Sequence, residues 1–242
     1  MKPMTSKITH LYQSGFTVET INHFLIFDYV IPGNPNDFKD ALIDLNMLTS
    51  KRNIYIFVSH HHADHFMPSI LEWQNDLPEI QYILSHDVPI DSGKNIHKIQ
   101  PYDHLKVNEV TIKSFSSTDE GVSFLVYADH LSFFHAGDLN WWHWKDSTPA
   151  QQSKEEEDFK KEVGLLQNEK IDVAFIPVDP RLEEAYYWAG KYFFEKVKPS
   201  LLVPMHFGGH FETTHQFSGK MNVPEKTIAV LDKFGDQIHF NK

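Results

Sequence analysis

Ser59-His60-His61-His62-Ala63-Asp64-His65 stands directly after the apolar run Ile54-Tyr55-Ile56-Phe57-Val58. Five β-branched and aromatic residues in a row read as a buried strand, so the histidines sit where that strand emerges into a loop. If extended geometry continues for two residues, its period of two puts His60 and His62 on one side, able to share a metal ion. Asp64 and His65 come after the turn and face a second metal or complete the first. Four candidate ligands thus fall within six residues; the alternative is a solvated, histidine-rich loop.

No cysteine occurs in the 242 residues, which removes disulfides, thiolate ligands and a cysteine nucleophile. A transition-metal site must therefore use histidine nitrogen and carboxylate oxygen, a set that suits zinc, manganese or iron. There are 16 histidines, spread over the chain rather than gathered in a tag, so what matters is which of them cluster with carboxylates.

Upstream of the loop, Ile8–Tyr12, Phe16–Val18 and Phe24–Val30 read as strands, with a helix through Phe38, Leu42 and Leu45. Downstream, Pro68–Gln74 reads as a short helix, and Ile80–Leu84, Val110–Phe115, Val122–Tyr127 and Leu131–Phe134 read as strands. Ser153 and Glu156 have the spacing of a capping box before a helix carrying Phe159, Val163 and Leu166. Strand Ile171–Ile176, helix Leu182–Val197, strand Leu201–Met205 and a last helix over Glu225–Phe234, stopped by Gly235, complete the series. Strands followed by strand-helix alternation in both halves suit two face-to-face sheets with helices outside, as a single domain over residues 1–242.

The His-x-His-x-Asp-His loop after a core strand resembles the hallmark of the metallo-β-lactamase superfamily. His135-Ala136-Gly137-Asp138 is similar to the Gly-Asp whose carboxylate bridges two metals there. Pro204-Met205-His206-Phe207 resembles the late strand that ends in a histidine ligand. The resemblance implies an α/β protein, a four-layer αββα sandwich with the site along one edge, acting as a metal-dependent hydrolase. It implies two ions, zinc first, with manganese or iron as alternatives. One ion would take His60, His62 and the bridging Asp138, the other Asp64, His65, Asp138 and His206.

The chain departs from the family at its third histidine, because the loop from Phe115 to Phe124 contains none. Asp119 in that loop is a substitute ligand or a turn aspartate capping backbone amides; His143 is a further candidate. Trp141, Trp142 and His143, just after Asp138, wall a substrate pocket or pack as ordinary core. Arg181 offers an anion contact or a surface ion pair.

A dinuclear site of this kind lowers the pKa of bound water to about 7, giving hydroxide as nucleophile, with Asp64 as the catalytic residue that orients it. Lys plus Arg number 22 against 33 Asp plus Glu, a net charge of −11, which disfavours nucleic acid as a partner. The expected substrate is a small molecule: an ester, thioester, lactone or amide. The alternatives are a phosphodiesterase or nuclease of the same fold, and a non-catalytic metal-binding protein with a degenerate first site. Hydrophobic content of 41% without a membrane-length apolar stretch, and a start lacking a signal-type core, lead to the expectation of a cytoplasmic protein.

Overall fold

A computed structural model describes residues 4–242; the first three residues of the domain expected over 1–242 lie outside the described residues. β1 (Thr5–His10), β2 (Phe16–Glu19) and β3 (Phe24–Phe27) form an antiparallel meander. α1 (Leu45–Thr49) leads to β4 (Ile54–Val58), and β4, β5 (Gln81–Ser85) and β6 (Ile96–Ile99) extend β3 in parallel. A second meander follows: β7 (His104–Val107), β8 (Val110–Ser116), β9 (Val122–Ala128) and β10 (Leu131–His135). α2 (Pro149–Leu165), β11 (Val173–Pro177), α3 (Trp188–Val197) and β12 (Leu201–Met205) add two parallel strands beside β10. After α4 (Glu212–Met221), β13 (Gln237–Asn241) returns to pair with β1.

The result is a seven-stranded sheet ordered β13-β1-β2-β3-β4-β5-β6 and a six-stranded sheet ordered β12-β11-β10-β9-β8-β7. β4 shows why the sheets face each other. Its alternate residues Tyr55 and Phe57 enter the core shared by both sheets, while Ile54, Ile56 and Val58 enter a second cluster with Leu48 of α1, Phe38 and Ile70. Period-two alternation thus feeds two cores from one wholly apolar strand. Across the main core, Phe57 meets Phe124 at a ring distance of 5.4 Å, and Phe16 meets Phe175 at 4.6 Å. Removing such a buried ring costs about 3–5 kcal/mol. On the far face of the second sheet, Phe193 of α3 stacks on Phe134 at 5.2 Å, and Phe159 of α2 is buried nearby. Helical segments, sheet, sheet and helices make up the four expected layers.

Several local expectations are corrected. The cap of α2 is Thr148 with Gln151, five residues before the expected Ser153. The helix expected over Phe38–Leu45 is a 3₁₀ stretch, Pro35–Ala41, followed by the short α1. That expected over Leu182–Val197 is interrupted: a 3₁₀ turn, Pro180–Ala185, precedes α3, and Glu183 takes φ +50°. Residues 225–234 form no helix. Ala229 N donates to Leu202 O at 2.8 Å, so this stretch lies extended beside β12, satisfying backbone groups that a helix would have satisfied internally. The helix lies earlier, as α4. Among the described residues no helix is long and apolar enough to cross a membrane.

Candidate metal centre

The centre lies where β3, β4, β10, β11 and β12 end. β4 runs through Ser59 into His60, and a turn follows in which the His65 and Phe66 amides both donate to His62 O at 2.9 Å. Ser59 O accepts from Val122 N of the opposite sheet at 2.9 Å, tying the two sheets at this edge. Gly121 makes that approach feasible. Its φ is +72°, and a Cβ there would sit 2.0 Å from Ser59 O and 2.6 Å from the His60 Cβ.

Three histidines converge on Asp138. His65 Nε2 and His206 Nε2 lie 3.2 and 3.3 Å from Asp138 Oδ1, and His60 Nε2 lies 3.8 Å from Oδ2. All four side chains are buried, and the three Nε2 atoms and Asp138 Oδ1 lack hydrogen-bond partners. Four polar atoms left bare in a buried cluster need an explanation.

Behind each ring, the other nitrogen is occupied. His65 Nδ1 donates to Asp28 Oδ2 at 2.7 Å, and His206 Nδ1 to Asp179 Oδ2 at 3.1 Å. Ser59 Oγ gives its proton to Asp28 Oδ2 at 2.6 Å, so it accepts from His60 Nδ1 at 3.0 Å. Each proton is thereby drawn to Nδ1, and each Nε2 lone pair is turned inward, the arrangement that carboxylates behind metal-binding histidines produce. Burial pushes the Asp28 and Asp179 carboxyls up, but His65 on one and His206 with Arg181 on the other pull both below the usual carboxylate range.

Burial likewise opposes ionisation of Asp138, yet His206, His65 and His60 around it hold it far below that range. Burial and the neighbouring His65 push His60 down to about 4. Burial pushes His65 down too, but Asp138 and Asp28 outweigh it and raise it well above its ordinary value. The field that favours a proton on His65 favours any cation there.

The remaining expected residues complete two further groups. Donor atoms of Asp64, His65 and His206 lie within 4.8 Å of one another, as do those of His60, His62 and Asp119. His62 Nδ1 is 3.5 Å from Asp119 Oδ2, and these two side chains, like Asp64, are about 40% exposed. Thr118 positions the Asp119 loop by donating to Asn140 O at 2.7 Å, while its Oγ accepts from Asn140 N at 2.9 Å. Asp119 thus lies beside His60 and His62, within reach of an ion that they would share.

A cavity of about 350 Å³ opens over the centre, lined by Asp64, Asp138, His206, Trp142, Trp144 and Arg181 among others. Trp142 and Trp144 stack in parallel at 5.6 Å, and Trp142 meets His206 edge-on at 5.8 Å. Two residues expected here are elsewhere. Trp141 turns away to pack on Phe159, Trp188 and Tyr192, with the Lys160 ammonium over its face. His143 lies against Trp188 at 4.5 Å and lines a separate depression with Lys145 and Glu184. Consecutive residues of the irregular segment point to different sides, which a residue count cannot reveal.

Asp28, Asp179 and Gln13 were not expected at the site. Asp28, at φ +40°, interrupts an apolar run after β3, and a carboxylate in such a run was the available signal. Asp179 follows β11 and is fully buried. Gln13 donates to Asp64 Oδ2 at 3.3 Å, accepts from Gly208 N at 2.9 Å, and receives the His206 amide on its own carbonyl at 3.1 Å. Nothing local marks that last residue.

No family model matches the sequence, and no curated protein does. Solved structures do match the fold. A metallo hydrolase from the archaeon Ignicoccus hospitalis shares 18% identity at a TM-score of 0.66, with 98% of each chain covered. The metallo-β-lactamase fold protein YhfI of Bacillus subtilis shares 12% at 0.61, over 98% of this chain and 100% of its own. CmlA, a diiron β-hydroxylase of Streptomyces venezuelae, shares 10% at 0.58, over 98% of this chain and 54% of its own. With the two facing sheets and their outer helices, these likenesses identify the chain as a member of the metallo-β-lactamase fold.

Proposed function

We propose that the protein is a metal-dependent hydrolase of small molecules whose centre holds two ions. The observation that carries this reading is the set of buried, partnerless Nε2 atoms of His60, His65 and His206 around the bare Asp138 Oδ1. Imidazole and carboxylate donors with no thiolate fit zinc, with manganese or iron as alternatives. His60, His62 and Asp119 would hold one ion, Asp64, His65 and His206 the other, and Asp138 would lie between. Bound there, the ions supply Lewis acidity, polarising a substrate oxygen and making water a nucleophile near neutral pH.

The chain's own residues do the rest. Asp64, steadied by Gln13, is placed to accept a hydrogen bond from the attacking water and hold its lone pair toward the substrate. The stacked Trp142 and Trp144 provide an apolar wall. Arg181, whose Nε and Nη2 donate to the two oxygens of Asp179 and which packs over Trp144, is the only Lys or Arg lining the cavity among the described residues, and it would orient an anionic group. One guanidinium among Asp64, Asp119, Asp138 and Glu155 suits a small substrate with a single anionic group better than a polyanion. The cavity over the centre supports catalysis over a purely metal-binding role, because it leaves room for water and a substrate beside the candidate ligands.

The test is a panel of ester, thioester, lactone and amide substrates, with a phosphodiester control, assayed on zinc-loaded protein and on His206→Ala. Turnover of a carboxylic-acid derivative that His206→Ala loses by 100-fold or more supports the reading (on the order of 10²–10³ for an electrostatic group). Turnover of the phosphodiester alone, or of nothing, overturns it.

A further inference from the structure

Beside the inner ligands, at the exposed rim, His61, His62, Glu120 and Asp87 form a second cluster. His61 Nδ1 lies 2.9 Å from Asp87 Oδ2 and 3.0 Å from Glu120 Oε2. One ring nitrogen carries at most one proton, so it cannot fully satisfy two carboxylates that repel each other across it. Asp87 is held in place by the His61 backbone N–H, which donates to Oδ2 at 2.8 Å, and its Oδ1 is buried with no hydrogen-bond partner. His62 faces both clusters: Nδ1 toward Asp119 at 3.5 Å, Nε2 toward Glu120 at 3.9 Å. Donor atoms of His61, His62 and Glu120 all lie within 4.8 Å of one another.

We propose that His61, Glu120, His62 Nε2 and Asp87 form an outer site for a zinc-class divalent cation, sharing the His62 ring with the inner centre. A cation resolves what a proton cannot, since it draws both carboxylates and the two imidazoles to one point. His62 Nε2 gives up its proton to solvent when the outer cation binds, and because one ring then spans two ions of like charge, filling the outer site loosens the inner ion held by His60, His62 and Asp119. Zinc in excess of the inner complement therefore inhibits. The binding claim stands on the cluster alone; the inhibition rests on the hydrolase reading above.

Equilibrium dialysis against zinc, with elemental analysis, tests it on the wild type, His61→Ala and Glu120→Gln. His61 and Glu120 are exposed, so both variants should fold. The wild type should take up one more, weaker equivalent than the inner complement. Each variant should bind that equivalent at least about tenfold more weakly and keep the tighter ones. Zinc inhibition of hydrolysis should fade in step. Identical isotherms for all three proteins would overturn the outer site, as would loss of the tight equivalents in both variants, which would make the cluster part of the inner centre. If no hydrolysis is found, the dialysis still decides whether the site exists.

Discussion

Asp28 Oδ2 lies 2.7 Å from His65 Nδ1, and both residues are fully buried. The same carboxylate accepts from Ser59 N at 2.8 Å and Ser59 Oγ at 2.6 Å, so one side chain after β3 orients two histidines from behind. All its partners donate, and an amide turns one acceptor into a donor facing them. Asp28→Asn is expected to lower zinc affinity about 10–100-fold and, through the mismatched buried donor, to cost about 1–3 kcal/mol of stability. Competition with a chromophoric chelator measures the first; unchanged affinity would show that Asp28 serves packing alone.

Gly121→Ala is expected to destabilise strongly. A positive φ costs a non-glycine residue about 1–3 kcal/mol, and the added Cβ meets backbone at Ser59 O, which cannot swing aside as a side-chain tip can. Chemical denaturation of metal-free protein should show the loss, and a midpoint within error of wild type would mean that the two sheet edges are less tightly joined.

His10 is buried among Phe16, Phe207 and Phe234, and burial pushes it down to about 4. Its folded pKa is depressed, so its stabilisation is complete above the unfolded value near 6.5 and is lost as pH falls from there toward 4. The full loss is roughly 3 kcal/mol. His10→Phe, unable to titrate, should show a smaller drop in Tm between pH 7 and pH 4.5 than wild type, both measured in chelator. Parallel pH profiles would assign the acid sensitivity to other groups.

Trp142→Ala should raise KM for substrates with an apolar portion, because it removes part of the cavity wall and the ring beside His206. His143→Ala should leave kcat and KM within about twofold, as expected of a residue outside the site. Steady-state kinetics on both variants separate the two positions, and a kinetic effect at His143 that exceeds that at Trp142 would contradict the assignment of the cavity.

The two facing sheets were legible because inner strands such as β4 and β11 are continuous apolar runs, and the candidate ligand loop was legible because it follows one of them. β6, β7 and β13 were not. They are edge strands, paired on one side and partly exposed, so polar residues such as His97, Lys106 and Gln237 blur the alternation that marks a strand. The helix assigned to 225–234 failed because Ile228 and Leu231 have helical spacing, yet their segment is held by β12. At the site, candidate ligands adjacent in sequence were readable, whereas Asp28, Asp179 and Gln13 reach it only through the fold. Asp119 was readable only as an alternative, since only the fold shows that its loop arrives beside His62.

Anomalous X-ray diffraction at the zinc edge, on wild-type crystals equilibrated with two equivalents of zinc, tests the dinuclear centre most directly. Two peaks are expected, both touching Asp138, one among His60, His62 and Asp119 and the other among Asp64, His65 and His206. A single peak, or a pair away from Asp138, would contradict the dinuclear centre. A first peak with Asp119 turned away would show that the missing histidine has no protein substitute.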